Sequence, residues 1–283
     1  MKIGSLCTGY GGLDLAVETF FDAETVWCAE TDKYASHVIT KRFTIPNYGD
    51  IKAIDWGSVE PIDILTAGYP CQPFSHAGQR KGKNDERHLW PYILEAISVL
   101  HPRIVVLENV RGHISLGMEE VLKGLASNGY DAKWSVVRAS DVGAPHQRAR
   151  IFIIAYSNSY AHKEPRRTNS SIYGQTSKVI NRPDWHEYGC GCQTSDTDNQ
   201  HKPHNRQVQK LGRRFTSRCQ MPMQTPPNAL AEDKLNSVFV EYMMGLPVGW
   251  VTDCDLSNAQ TMKLLGNGVV PQQAYYALEL LTK

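Results

Sequence analysis

Over residues 1–156 the chain alternates two kinds of apolar pattern. Short, nearly continuous runs ("KIGSLCT", "TVWCAE", "IDILTAGY", "RIVVLENV", "AKWSVVRA", "ARIFIIAYS") have the length and β-branched content of strands buried on both faces. Between them lie stretches with helical spacing. "LDLAVETFF" sets Leu13, Ala16, Val17 and Phe20 on one stripe; "KYASHVITKRF" and "PYILEAISVL" follow; "MEEVLKGLASNGY" ends on an Asn-Gly pair suited to a helix C-cap. Strands alternating with helices predict an α/β fold, with a parallel sheet covered by helices on both faces. From Ser157 the pattern breaks. Residues 157–234 are rich in Asn, Ser, Thr, Arg and His and poor in aliphatics, and the stretch is too long for an ordinary loop. It reads as a small irregular domain or a functional insertion. Periodicity returns in "NSVFVEYMMGL" and "QQAYYALELL", so the chain divides at 1–156, 157–234 and 235–283.

Composition narrows the class. The 283 residues are 41% hydrophobic and 21% charged, ordinary for a soluble globular protein with a sizeable core. No apolar run approaches the ~18 residues that span a bilayer, and "MKIGSLCTGYGG" lacks the apolar stretch of a signal peptide. A cytoplasmic protein without a membrane partner is expected. Seven scattered cysteines, an odd number, argue for reduced thiols rather than a disulfide framework. The formal net charge is only +1, but residues 157–230 hold 11 Lys/Arg against 5 Asp/Glu, while the remainder holds 19 against 24. That segment is either a polar loop that collected arginines or a surface facing a polyanion.

Four places carry candidate chemistry. Gly9, Tyr10, Gly11 and Gly12 close the first strand and open a helix, where backbone N–H groups are open to a ligand. Their spacing is not that of a dinucleotide fingerprint. Glu30 ends the second strand, 18 residues after Gly12, a place from which a carboxylate accepts hydrogen bonds from a ribose diol; Asp50 adds a third polar group. In "AGYPCQPFS" Cys71 stands between prolines beyond the end of the third strand, a stiff frame that a nucleophile needs and a core thiol does not. The run "IVVLE" sets Glu108, with Asn109 after it, at the lip of the sheet; taken alone the pair reads as a solvated Glu beside a helix-capping Asn, the alternative being a partly desolvated carboxyl with a raised pKa that acts as an acid. In "PHQRARIF", Arg148 and Arg150 alternate with Ala149, so on a strand both guanidiniums share one face.

In this order, "GYGG", "GYPCQPFS", "ENV" and "LLGNGVVP" resemble the cytosine-C5 DNA methyltransferase family, across most of residues 1–156 and again from about Leu235. The resemblance implies a Rossmann-like, S-adenosylmethionine-dependent fold. Its sheet would be mixed and mostly parallel, and a small irregular target-recognition region would occupy 157–234. It implies that Gly9, Tyr10, Gly11, Gly12, Glu30, Asp50, Ile51, Pro70 and Leu89 line the cofactor pocket and that Asn267 completes it. Cys71 would be the nucleophile, adding to C6 of a flipped-out cytosine held by Glu108, Arg148 and Arg150. Gln72, Ser75, Arg80, Lys81, Arg87 and Asn109 would meet double-stranded DNA. "EYMMGLPVGW" would orient the recognition region, whose basic excess suits phosphate contact.

Three positions depart from the family pattern. Cys7 stands where an aromatic ring usually stacks on the adenine, so either cofactor binding is weaker there or another side chain such as Tyr10 substitutes; His146 replaces a glutamine before the arginines, and Thr31 a bulky aromatic. Cys190, Cys192 and Cys219 with His186, His201 and His204 do not have zinc-site spacing, so no metal is expected. An RNA cytosine methyltransferase and a silent DNA-binding homologue are the alternatives. Intact Cys71, Glu108, Arg148 and Arg150 count against the second. The default is a monomer, and a cognate restriction endonuclease acting on the same site stays an open question.

Overall fold

A computed structural model of the chain describes residues 1–70, 88–161, 227–231 and 234–283. Six strands form one sheet: β1 (Lys2–Leu6), β2 (Glu24–Ala29), β3 (Ile64–Ala67), β4 (Ile104–Val110), β5 (Tyr130–Val137) and β6 (Arg150–Ser157), in the order β2-β1-β3-β4-β6-β5. β1 runs parallel to β2 and β3, and β3 to β4; β6 is antiparallel to both β4 and β5. The sheet is mixed and mostly parallel. The reversal has a local cause: only a 3-10 turn, Ala139–Val142, lies between β5 and β6, with no crossover helix, so β6 returns beside β5.

The helices among the described residues are α1 (Gly12–Phe21), α2 (Lys33–Arg42), α3 (Trp90–Leu100), α4 (Met118–Ser127) and α5 (Asn158–Ala161). After a short ribbon, β7 (Leu230–Ala231) and β8 (Lys234–Leu235), come α6 (Ser237–Met243), α7 (Asn258–Asn267) and α8 (Pro271–Leu281). None is long and apolar enough to cross a membrane. Alternate residues of the buried strands feed two cores. On one face Leu6, Leu65, Val105 and Leu107 share a cluster with Trp90 and Ile93 of α3 and Val121 of α4. On the other, Ile3, Ile64, Ile104 and Val106 meet Leu13 and Val17 of α1 and Ala274 and Leu278 of α8.

The helix α7 departs from the sequence expectation. Its polar positions Asn258, Gln260, Lys263 and Asn267 hide the apolar stripe of Leu264 and Leu265. A capping box starts it: Ser257 Oγ accepts from Gln260 N, and Gln260 Oε1 accepts from Ser257 N at 2.9 Å.

A third cluster joins the two ends of the described chain. Tyr10, Leu15 and Val38 pack with Leu246, Trp250, Leu264 and Val270. Tyr10 is fully buried and clasped by polar contacts: its hydroxyl donates to Val269 O (2.7 Å), and Trp250 Nε1 donates to Tyr10 O (2.8 Å). Buried Glu241 braces the same region, accepting from Gly249 N, Val251 N, Thr252 N and Thr252 Oγ1 at 2.6–3.0 Å. Removing only the hydroxyl in Tyr10→Phe leaves Val269 O unpaired in the core and is expected to cost about 1–3 kcal/mol. Gly268→Ala builds a Cβ 1.8 Å from the Tyr10 ring, and an overpacking penalty of about 1–3 kcal/mol is expected. Urea unfolding monitored by tryptophan fluorescence checks both; a denaturation midpoint unchanged in either variant would refute the clasp.

Candidate active site

The chain leaves β1 for β2 on one side and then places β3 on the other, so the strand order reverses between β1 and β3. Ligands of open α/β sheets bind beyond the carboxyl ends of strands at such a point. A cavity of about 490 Å³ lies there. Leu6–Gly9 at and after the end of β1, Glu30–Asp32 after β2, Gly68–Pro70 after β3 and Glu108–Val110 of β4 contribute its wall; α1 adds Leu13 and Asp14, and the last residues of α7 with the turn that follows add Gly266–Val269. A second space of about 250 Å³ shares Cys7, Glu30, Thr31, Pro70 and Leu89 with it and is closed by Gly49, Asp50, Ile51 and Lys52.

At one end Glu30 is held in a fixed orientation. Its Oε2 accepts from Gly9 N and its Oε1 from Asp32 N, both at 2.8 Å. Burial raises its pKa against those hydrogen bonds. Gly9 has φ +58°, a conformation L side chains rarely adopt, and a Cβ there would meet no atom within 4 Å. The glycine keeps this wall bare.

At the other end stands Glu108, buried, with Arg150 Nε at 3.0 Å from its Oε1. Desolvation pushes the carboxyl up to about 7, outweighing the opposing pull of Arg150 and Arg148. A carboxyl that is half protonated near neutral pH both donates and accepts a hydrogen bond. Asn109 beside it donates from Nδ2 to Tyr69 O (3.0 Å), and Tyr69 Oη lies 3.0 Å from Nε2 of buried His113. These contacts fix Gly68–Pro70, the last described residues before the segment that carries Cys71.

Three expectations need correction. Tyr10 does not stand in for an adenine-stacking ring, because its phenol is turned into the core and clasped there. Gly11 and Gly12 stand behind the cavity wall: a Cβ at Gly11 would strike the Phe43 ring, and one at Gly12 would strike Val269 O. Arg148 and Arg150 do not share a strand face. β6 begins only at Arg150, and Arg148, at φ +30°, donates from Nη2 to Gly266 O (2.8 Å) and Gly268 O (2.6 Å). Arg148 therefore pins the Gly266–Gly268 turn, while Arg150 alone forms an ion pair with Glu108. His146 reaches Met243 O (3.0 Å) and ties the arginine segment to α6.

Asp50, Ile51, Pro70, Leu89, Asn109 and Asn267 all line one space or both. Cys71, Gln72, Ser75, Arg80, Lys81 and Arg87 lie outside the described residues, as do nearly all of 157–234 and the cysteines and histidines weighed for zinc. The sequence reading passed over His113 and Asp14. A lone histidine after "ENVRG" carries no signal of burial, and an aspartate in the first turn of a helix reads as an ordinary complement to the helix dipole.

If desolvation governs Glu108 and Arg150 restrains it, Arg150→Met is expected to drive that carboxyl from about 7 toward the ~8–9 known for buried carboxyls lacking a partner. Titration of ¹³C-labelled glutamate carboxyls by NMR reads this directly, and a pKa that stays put or falls would refute the assignment.

Comparison with known proteins follows the same lines. The family model for C-5 cytosine-specific DNA methylases matches residues 1–188. The type II methyltransferase M.Bsp6I of Bacillus sp. (strain RFL6) is 38% identical over 173 residues, covering 58% of this chain and 54% of the relative. M.HhaI of Haemophilus parahaemolyticus is 36% identical over 163 residues, 56% and 50% of the two chains. The chain thus spans about half the length of the curated relatives it matches. Among solved structures, a mutant of Spodoptera frugiperda DNMT2 superposes with a TM-score of 0.67 at 18% identity, covering 100% of this chain and 99% of that one. The S. pombe Dnmt2 methyltransferase gives 0.63, also at 18%, over 99% and 98%. Those likenesses establish the fold, and the family model establishes the kinship: the chain belongs to the C-5 cytosine-specific DNA methylase family.

Proposed function

We propose that the protein transfers a methyl group from S-adenosylmethionine to carbon 5 of a cytosine in double-stranded DNA, within a short recognition sequence. The observation that carries the reading is the buried Glu108–Arg150 pair in the same cavity as the Gly9–Glu30 wall. The residues present suit that cofactor. Glu30 offers fixed acceptors to a ribose diol, Gly9 leaves open space beside them, and the adjoining space lined by Cys7, Asp50 and Ile51 suits a purine. When bound, S-adenosylmethionine supplies an electrophilic methyl group on a sulfonium.

The chain's own residues would then act on the base. Cytosine C5 is a weak nucleophile until an electron pair is added at C6. Cys71, one residue beyond cavity-lining Pro70, would add as thiolate to C6, breaking the C5–C6 double bond. Glu108, protonated, would donate to N3 and receive the charge displaced into the ring, while Arg150 limits how far its pKa climbs. C5 takes the methyl with cleavage of its bond to sulfur, which leaves as a thioether; loss of the C5 proton to a base expels the thiolate and restores the double bond, and N3 returns its proton to Glu108. Covalent addition divides one hard step into easier ones. Such chemistry requires the base outside the stack, so the target nucleotide is flipped out. The basic 157–234 segment would supply phosphate and base contacts. The relatives named as type II methyltransferases support a restriction endonuclease of the same specificity as cellular partner.

Incubation with labelled S-adenosylmethionine and unmethylated duplex DNA is expected to yield 5-methylcytosine, and Cys71→Ser to abolish it. Label confined to a parallel total-RNA sample would move the assignment to RNA, and label in neither would refute transfer. The pH profile is a separate test. A carboxyl of pKa about 7 that must be protonated gives a kcat/KM that falls about tenfold per pH unit on the alkaline side. In Glu108→Gln the rate is expected to drop about 10²- to 10⁴-fold and that alkaline limb to vanish. An unchanged limb in the variant would assign the titration elsewhere.

A further inference from the structure

One carboxyl on the cavity wall takes no part in the methyl transfer. Asp14, in the first turn of α1, is 1% exposed and lines the 490 Å³ cavity. Thr66 Oγ1 donates to its Oδ1 at 2.5 Å, and the Ser5 hydroxyl also bonds it. Ser5 and Thr66 are direct partners across β1 and β3, so adjacent strands hold the carboxyl in place, and Thr8 Oγ1 donates to Ser5 Oγ (2.9 Å) behind them. Two hydroxyls and the backbone N–H of Asp14 itself donate to the carboxylate, which leaves one of its four lone-pair sites unused.

No cation pairs with Asp14 among the described residues. Arg150 pairs with Glu108, Arg148 is spent on the Gly266 and Gly268 carbonyls, and Lys263 pairs with Asp32. Burial without a counter-ion lifts its pKa to about 6. A purely structural link between α1 and the sheet would need only a neutral acceptor, which a serine or asparagine supplies without the desolvation cost of a charge. A cation arriving with a ligand in the cavity would balance such a carboxylate.

Resting on the cofactor reading above, we propose that Asp14 is the counter-charge for the α-ammonium group of the cofactor's amino-acid end. An ammonium brings an N–H donor to the free lone-pair site; a sulfonium brings none. The contact would therefore serve S-adenosylmethionine and its product S-adenosylhomocysteine alike, making Asp14 a binding residue rather than a discriminator between them.

Calorimetry on the full chain tests this with S-adenosylmethionine, S-adenosylhomocysteine and the analogue of the latter in which hydrogen replaces the α-amino group. Asp14→Asn preserves an acceptor for Thr66 and removes the charge. The variant is expected to bind S-adenosylhomocysteine about 10- to 100-fold more weakly and the deamino analogue with unchanged affinity. Equal losses for both ligands would make Asp14 structural and overturn the proposal, as would a loss confined to S-adenosylmethionine. Wild-type protein that binds none of the three would overturn the cofactor reading itself.

A second measurement needs no variant. Near pH 6, wild-type protein is expected to release more protons on binding S-adenosylhomocysteine than on binding the deamino analogue, read from binding heats in buffers of different ionisation enthalpy. Cys7, Glu30, Asp32, Glu108 and Arg150, the other ionisable groups lining the cavity, and Cys28, which Asp14 influences through space, are common to both complexes, so the difference isolates the ammonium contact. Equal proton release would refute it.

Discussion

The clasp around Tyr10 is the constraint on which the cavity depends. One side chain near the start of the sequence donates to Val269 O, receives Trp250 at its own carbonyl, and stacks its ring where Gly268 leaves no room for a Cβ. These contacts hold the Gly266–Val269 turn against the ends of β1 and β3, and Arg148 fastens the same turn from β6's leading edge. Without that turn the space beyond the strand ends would be an open shelf. With it, strand ends that would otherwise face bulk water face a partly dry chamber.

Drying has a chemical return and a thermodynamic cost. Glu108, Asp14 and Glu30 all have pKa values raised by burial. A carboxyl whose folded-state pKa exceeds its unfolded value stabilises the fold at low pH, below its unfolded pKa, and that contribution is lost as pH rises through the folded value. For Glu108 and Asp14 the loss runs from about pH 4 up to about 7 and about 6. The unliganded fold therefore carries a penalty at neutral pH. The Glu108–Arg150 pair relieves part of it, and a ligand cation would relieve another part. Stored electrostatic cost of this kind belongs at reactive sites.

Much of this was legible from the chain. Unbroken apolar runs named the buried strands, and a run ending on a carboxylate placed Glu108 at the sheet's lip, where its burial and raised pKa follow. The misreadings share a cause, since each needed tertiary information. Arg148 looked like a strand residue because spacing shows no positive φ. Tyr10 looked accessible among glycines because its partner lies 259 positions away. The helix α7 was hidden by polar residues, although Ser257 and Gln260 spell its capping box. His113 gave no sign at all. Its role depends on Gly117, where a Cβ would stand 2.8 Å from the imidazole, and on a single contact with Tyr69.

The separation between Tyr10 and Val269 also orders events in time. Protein synthesis runs from the first residue to the last, and the β1–β3 edge exists long before the residues that roof it. The chamber cannot close until residue 269 has left the ribosomal tunnel, so a nascent chain holds strand ends but no finished pocket. Ligand capture thereby waits for the stretch around Val269, and the Tyr10–Val269 contact is a closure of long sequence separation, the kind that slows folding.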